Sequence, residues 1–143
     1  VESVDAIRVC PEDRYADERM RVKASSYVIN EYLANYTIKE AASNLKQLSA
    51  TSRTMLHFEG AEPEQLPEDL ALLRQAEHAH CADWFKALWK QRGQVLTQIK
   101  KDVQVDRHMD TANYAFVDGH VETIAAEQIE QWVREDFEFA KPQ

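Results

Sequence analysis

A chain of 143 residues and 16.5 kDa, 44% hydrophobic and 29% charged, suits one domain large enough to bury a core without a disulfide or metal staple. Its formal net charge of −8, from 25 acidic against 17 basic residues, opposes a phosphate backbone and excludes an electrostatic nucleic-acid surface. No apolar run of about 18 residues is written in it, so no transmembrane helix is expected within these residues.

The first third alternates β-like runs with polar breaks. Ala6–Cys10 and Ser25–Asn30 read as strands, separated by a charged loop from Pro11 to Arg21. Thr37–Leu48 carries Ala41, Ala42, Leu45 and Leu48 at roughly helical spacing and predicts a helix. Ser52–Glu59 then reads as a strand, ended at Gly60.

From Pro63 the texture changes. Leu66, Leu70, Leu73, His80, Trp84 and Leu88 recur at three- and four-residue steps, with Cys81, Phe85 and Trp89 beside them, which predicts a helical block over about 63–101. Gly93 weakens that block, and Val95–Ile99 resume it towards Lys101. The last amphipathic helix takes Ile124, Ile129, Trp132, Val133 and Phe137, with Thr123 as its N-cap, and the tail Ala140–Gln143 is expected to fray.

Between the last two helical stretches lies RHMDTANYAFVDGHVETI. Asp118-Gly119, flanked by β-forming residues, predicts a two-residue type I′ hairpin with both central residues at positive φ. In that register Val117 faces His120, Phe116 faces Val121 and Tyr114 faces Thr123, so Tyr114, Phe116 and Val121 share a core face. Extended chain would carry His108 roughly 33 Å from the turn, which argues against a His108–Asp118 dyad. The expected place for the imidazole is the open end of the hairpin, bonded to a backbone carbonyl.

Metal and nucleophile chemistry have weaker signals. His78, His80 and Cys81 are zinc-type ligands, but two residues turn a helix by about 200°, leaving only His78 and Cys81 on a common side. Further ligands would come from His57, His108, His120 or a carboxylate, and the expectation is no metal and no cofactor. Asp102, Asp106, Asp110, Asp118 and Glu122 lack EF-hand spacing and read as a solvated acidic surface, with calcium as the alternative. There is no Gly-x-Ser-x-Gly elbow and no glycine-rich phosphate loop, so no catalytic residue is assigned. One pairing is open to Cys10 and Cys81, and the sequence leaves it undecided.

Four segments in order resemble one family. His108, nine residues, then Asp118-Gly119 matches the H-X9-DG signature of bacterial pseudopilin-like proteins. Val9–Asp13 is similar to that family's Cys-Pro-x-Asp segment, Ser25–Asn30 to its Ser-Tyr-x-x-Asn strand, and Thr51–Glu59 to its Pro-Ser-x-Thr strand, with Thr51 in place of the proline. The resemblance implies an α+β, pilin-like globular domain over residues 1–143, with a small antiparallel sheet packed against helices and the signature hairpin over 108–124; the block 63–101 has no counterpart in the signature and is expected as a helical insertion. It also implies a structural subunit of a type II secretion pseudopilus or type IV pilus-like assembly. Such a subunit is anchored in the inner membrane by an apolar helix ahead of Val1, with its globular domain on the periplasmic side. Its partners are other pseudopilin subunits and secretion-machinery components. The alternative expectation, from another class, is a small metal-binding domain or metal-dependent enzyme using His78, Cys81 and another histidine.

Overall fold

A computed structural model describes residues 4–74 and 78–143; within the predicted helical block, residues 75–77 lie outside the described residues. The protein is α+β, as its sequence predicts. Five strands form one sheet in the order β3-β1-β2-β4-β5. They are β1 (Tyr27–Asn30), β2 (Met55–Glu59), β3 (His78–Ala79), β4 (Thr111–Phe116) and β5 (Val121–Ala125). All neighbours are antiparallel except β1 and β3, which run parallel.

Alternation in the strands sorts their side chains. Val28, Phe58, Ala112, Tyr114 and Phe116 are buried on one face. Against them pack three helices, α4 (Cys81–Trp84), α6 (Val95–Asp102) and α7 (Ala126–Arg134), through Trp84, Ile99 and Ile129. Phe58 meets Trp84 and Tyr114 edge to face at centroid distances of 5.8 and 6.0 Å, the arrangement aromatic quadrupoles favour. Trp84 also donates its indole N–H to Asp102 Oδ2 at 2.7 Å, which satisfies the one polar atom of a fully buried side chain. Among the described residues no helix is long and apolar enough to cross a membrane.

Several elements differ from the sequence reading. Ala6–Cys10 is not a strand: a short helix α1 (Val4–Ile7) precedes an irregular Val9-Cys10. Side-chain and turn bonds replace a ladder here. Cys10 N–H donates to Ser26 Oγ, and Ser26 N–H to Arg8 O. Helix α2 (Ala16–Val22) occupies part of the predicted charged loop. After β1, α3 (Glu31–Ala34) is a single turn capped by Asn30, and 37–48 forms no α-helix. Its one regular piece is a 3₁₀ turn, Leu45–Gln47, closed by an Asn44 capping box. Asn35 and Asn44 bond nearby backbone N–H groups, which competes with helix propagation.

The block 63–101 is not one helical insertion. It contains a 3₁₀ turn at Leu70–Arg74, strand β3, and the helices α4, α5 (Ala87–Gln91) and α6. Pro63 and Pro67 resist an early helix, and β1 offers a free edge that captures His78-Ala79. Leu66, Leu72 and Leu88 accordingly remain exposed. The break at Gly93, with φ of +62°, and the helix resuming at Val95 match expectation.

The hairpin exists with a register one residue off. Phe116 N–H donates to His120 O, and Gly119 N–H to Phe116 O, so Val117-Asp118-Gly119 is a three-residue loop. Gly119 alone takes positive φ, +95°, while Asp118 does not. That is a type I turn closed by a glycine bulge rather than a type I′ turn. Tyr114 pairs with Glu122 and Ala115 with Val121, which sends Val121 to the opposite, exposed face. Helix α7 starts at Ala126, with Ile124 in β5 and Ala125, not Thr123, at its N-cap. The tail is docked: Phe139 and Ala140 are buried, and Gln143 bonds the 49–54 turn.

Candidate functional site

Three remote segments meet at one end of the sheet. Glu59 ends β2 opposite Tyr27, and its exposure is 0%. It precedes Gly60, whose N–H donates to Ser26 O at 2.7 Å. A Cβ at Gly60 would stand 3.0 Å from Val28 Cγ1, so a glycine permits this close approach. Cys10 comes from the loop after α1 and is buried. His108 is fixed by a bridge to Thr111, its N–H donating to Thr111 O and its carbonyl accepting from Thr111 Oγ1.

The side chains converge on one nitrogen. His108 Nε2 lies 2.8 Å from Glu59 Oε1 and 3.7 Å from Cys10 Sγ. Glu59 Oε2 accepts the Asn113 N–H at 3.1 Å, which orients the carboxylate. The partner of the His108 imidazole is therefore a buried carboxylate, not the expected backbone carbonyl. Cys10, Glu59 and His108 form the one group of three metal-ligating side chains gathered together among the described residues.

Beside them runs a buried ionic network. Arg107 donates to Gly60 O at 2.6 Å and Ser26 O at 3.2 Å, and lies 3.7 Å from both Asp13 and Glu62 carboxylates. Arg19 pairs with Asp13 Oδ2 at 2.6 Å and donates to Ser25 O. Buried charges persist when paired in this way, because each isolated ion would lose its hydration uncompensated. Burial pushes the Cys10 thiol above its usual range; neighbouring Glu59 adds to the rise and Arg107 opposes it. Burial also raises the Tyr27 hydroxyl, and Cys10 and Glu59 add to the rise.

This geometry is not a nucleophile–base–acid relay. A relay uses the two imidazole nitrogens separately, one towards the nucleophile and one towards the acid. Here Nε2 faces both Sγ and the carboxylate. The thiol is also buried and held towards its protonated form, the reverse of an activated cysteine.

Asp118 and Gly119 lie at the closed end of the hairpin, while His108 bridges Thr111 at the open end. Asp118 serves the turn: its Oδ1 accepts from the His120 N–H and faces the ring Nδ1. Its carboxyl is held below the usual range by that ring, and His120 is raised by Glu122 and then by Asp118. His80 bonds Asp102, which raises its pKa, and Cys81 is buried with its thiol pushed up by desolvation. His78 and Cys81 have no third ligand gathered with them among the described residues. The five acids considered for calcium are spread between Asp102 beside His80 and the Asp118–Glu122 pair around His120. Both cysteines are free thiols.

Glu59 and the Asp13, Arg19 and Arg107 network escaped the sequence reading. The available signal was a glutamate one residue before a strand-ending glycine, beside a Cys-Pro-Glu-Asp segment rich in charge. No family model matches the chain, and neither a curated protein nor a solved structure matches it.

Proposed function

We propose that this chain is the globular domain of a structural subunit of a pseudopilus or type IV pilus-like assembly. The residues of the resemblance serve architecture. Ser26 anchors Cys10, Asn30 ties β1 to β2 and the C-terminal segment, and His108 closes on Glu59. Cys10, Ser26, Asn30 and Glu59 are all buried.

The observation that carries the reading is the open face of the sheet. Tyr27, Ile29, His57, Ala115 and Val121 line a groove of about 940 Å³ on the face away from α4, α6 and α7, with Ile7 of α1 also lining it and 80% exposed. An apolar patch of this kind marks a surface made to be covered. Its occupant in this reading is an apolar helix entering from the N-terminal side on the same polypeptide, which also anchors the subunit in the inner membrane. The domain then stands on the periplasmic side, and neighbouring subunits are its partners.

Fractionation of cells expressing the native gene, with protease added to spheroplasts, tests this. The expected result is a membrane-associated protein whose domain is digested from outside. A soluble pool protected from protease would overturn the proposal.

A further inference from the structure

We propose that Cys10, Glu59 and His108 bind a divalent cation of the zinc class, independently of any role in assembly. The set differs from His78 and Cys81 and joins three segments far apart in sequence. Thiolate, carboxylate and imidazole together suit a borderline-soft ion, whereas calcium and magnesium favour oxygen alone. Ion bonds of about 2.0–2.1 Å to nitrogen and 2.3 Å to sulfur, at a tetrahedral angle, place those two atoms about 3.6 Å apart. The Sγ to Nε2 separation is 3.7 Å. The Nε2 to Oε1 distance of 2.8 Å must widen to about 3.4 Å as the ion replaces the shared proton. His108, on a loop and 28% exposed, has room to swing by that amount.

Charge also closes. On binding, the Cys10 thiol releases its proton to solvent and His108 coordinates through Nε2 with its remaining proton on Nδ1. Thiolate and carboxylate then contribute two negative charges against a dication. Arg107 opposes a cation nearby, but Asp13 and Glu62 stand 3.7 Å from its guanidinium and offset it. Two of the ligands carry the supporting bonds that ordinarily orient metal ligands: Asn113 N–H holds Glu59 Oε2, and Ser26 Oγ holds the Cys10 backbone. Three protein ligands leave a fourth position, and Tyr27 and Asn113 are lining residues of the adjoining groove.

The test uses chelator-treated protein without an affinity tag, titrated with cobalt and then zinc. One equivalent of cobalt should produce thiolate-to-cobalt charge-transfer absorption in the near ultraviolet, and zinc should displace it. Cys81→Ser and His120→Gln should keep the signal, and Cys10→Ser should lose it. His108→Gln should weaken zinc binding by more than the roughly 10–100-fold typical of losing an outer partner. If the Cys10 variant does not fold, alkylation mapped by mass spectrometry reads the unaltered protein: zinc should slow modification of Cys10 and leave Cys81 unchanged. Absence of the charge-transfer band, its survival in a folded Cys10→Ser, or equal alkylation of Cys10 with and without zinc overturns the site.

Discussion

Gly119 holds the β4–β5 turn through its backbone alone. Its φ of +95° lies beyond the usual left-handed well, and a Cβ there meets nothing within 4 Å. The cost of a side chain is therefore conformational strain, not collision. Gly119→Ala should lose about 1–2 kcal/mol of stability, measured by urea denaturation, with the groove and helices unchanged. A loss under about 0.5 kcal/mol would argue that the loop relaxes into another turn. Asp118 does different work at the next position. Its carboxylate caps the loop and faces His120, whose ring stacks on Phe116 at a centroid distance of 4.4 Å. His108, ten residues earlier, belongs to another environment, so its spacing from Asp118 reflects strand length rather than a reacting pair.

At the scale of elements, the join between β1 and α3 depends on Asn30. Its Nδ2 donates to Met55 O at 2.8 Å and Ala140 O at 2.7 Å, and its Oδ1 accepts the Tyr32 N–H at 3.1 Å. Asn30→Asp keeps the helix cap and removes both donors, leaving two carbonyls facing a carboxylate. At about 1–3 kcal/mol for each buried group left unsatisfied, the loss should reach at least about 2 kcal/mol in equilibrium unfolding. A variant within about 1 kcal/mol of the parent would mean that these carbonyls find other partners. The elements legible in the sequence were those whose signal is local. Strands β1, β2, β4 and β5 advertise themselves by alternation, and α6 and α7 by a helical stripe after or around clear breaks. Asp-Gly, however, suits both a two-residue and a three-residue loop; φ at Asp118 separates them, and no local residue fixes it. Strand β3 was hidden because two residues gain their conformation from the β1 edge, not from propensity. The site was half legible for the same reason. His108 stood out by spacing, but Glu59 read as the charged end of a strand, and only the fold brings it to a ring 49 residues away.

Across the whole molecule, the C-terminal segment touches helices, sheet and a turn at once. Phe139 is 3% exposed and packs its ring 5.8 Å from Trp84 and 5.2 Å from Trp132, connecting α4 with α7. Ala140 O receives Asn30 from β1. Gln143 N–H donates to Thr54 Oγ1, while its carbonyl accepts from the Ser49 and Ala50 N–H groups. Helix, sheet and the turn before β2 are thus closed by five residues, 139–143. Removing them exposes the aromatic cluster and frees the Asn30 amide. Loss of a buried phenylalanine alone costs about 3–5 kcal/mol. Domains are stable by only about 5–15 kcal/mol, so a deletion of residues 139–143 should consume a large share of the total. At about 2–4 °C per kcal/mol for a chain of this size, Tm should fall by at least about 10 °C in a thermal melt. Phe139→Ala in the full chain should account for most of that fall, because the aromatic contact is the largest single term. A truncated protein melting within about 3 °C of the parent would show that the segment rests on a core already complete without it.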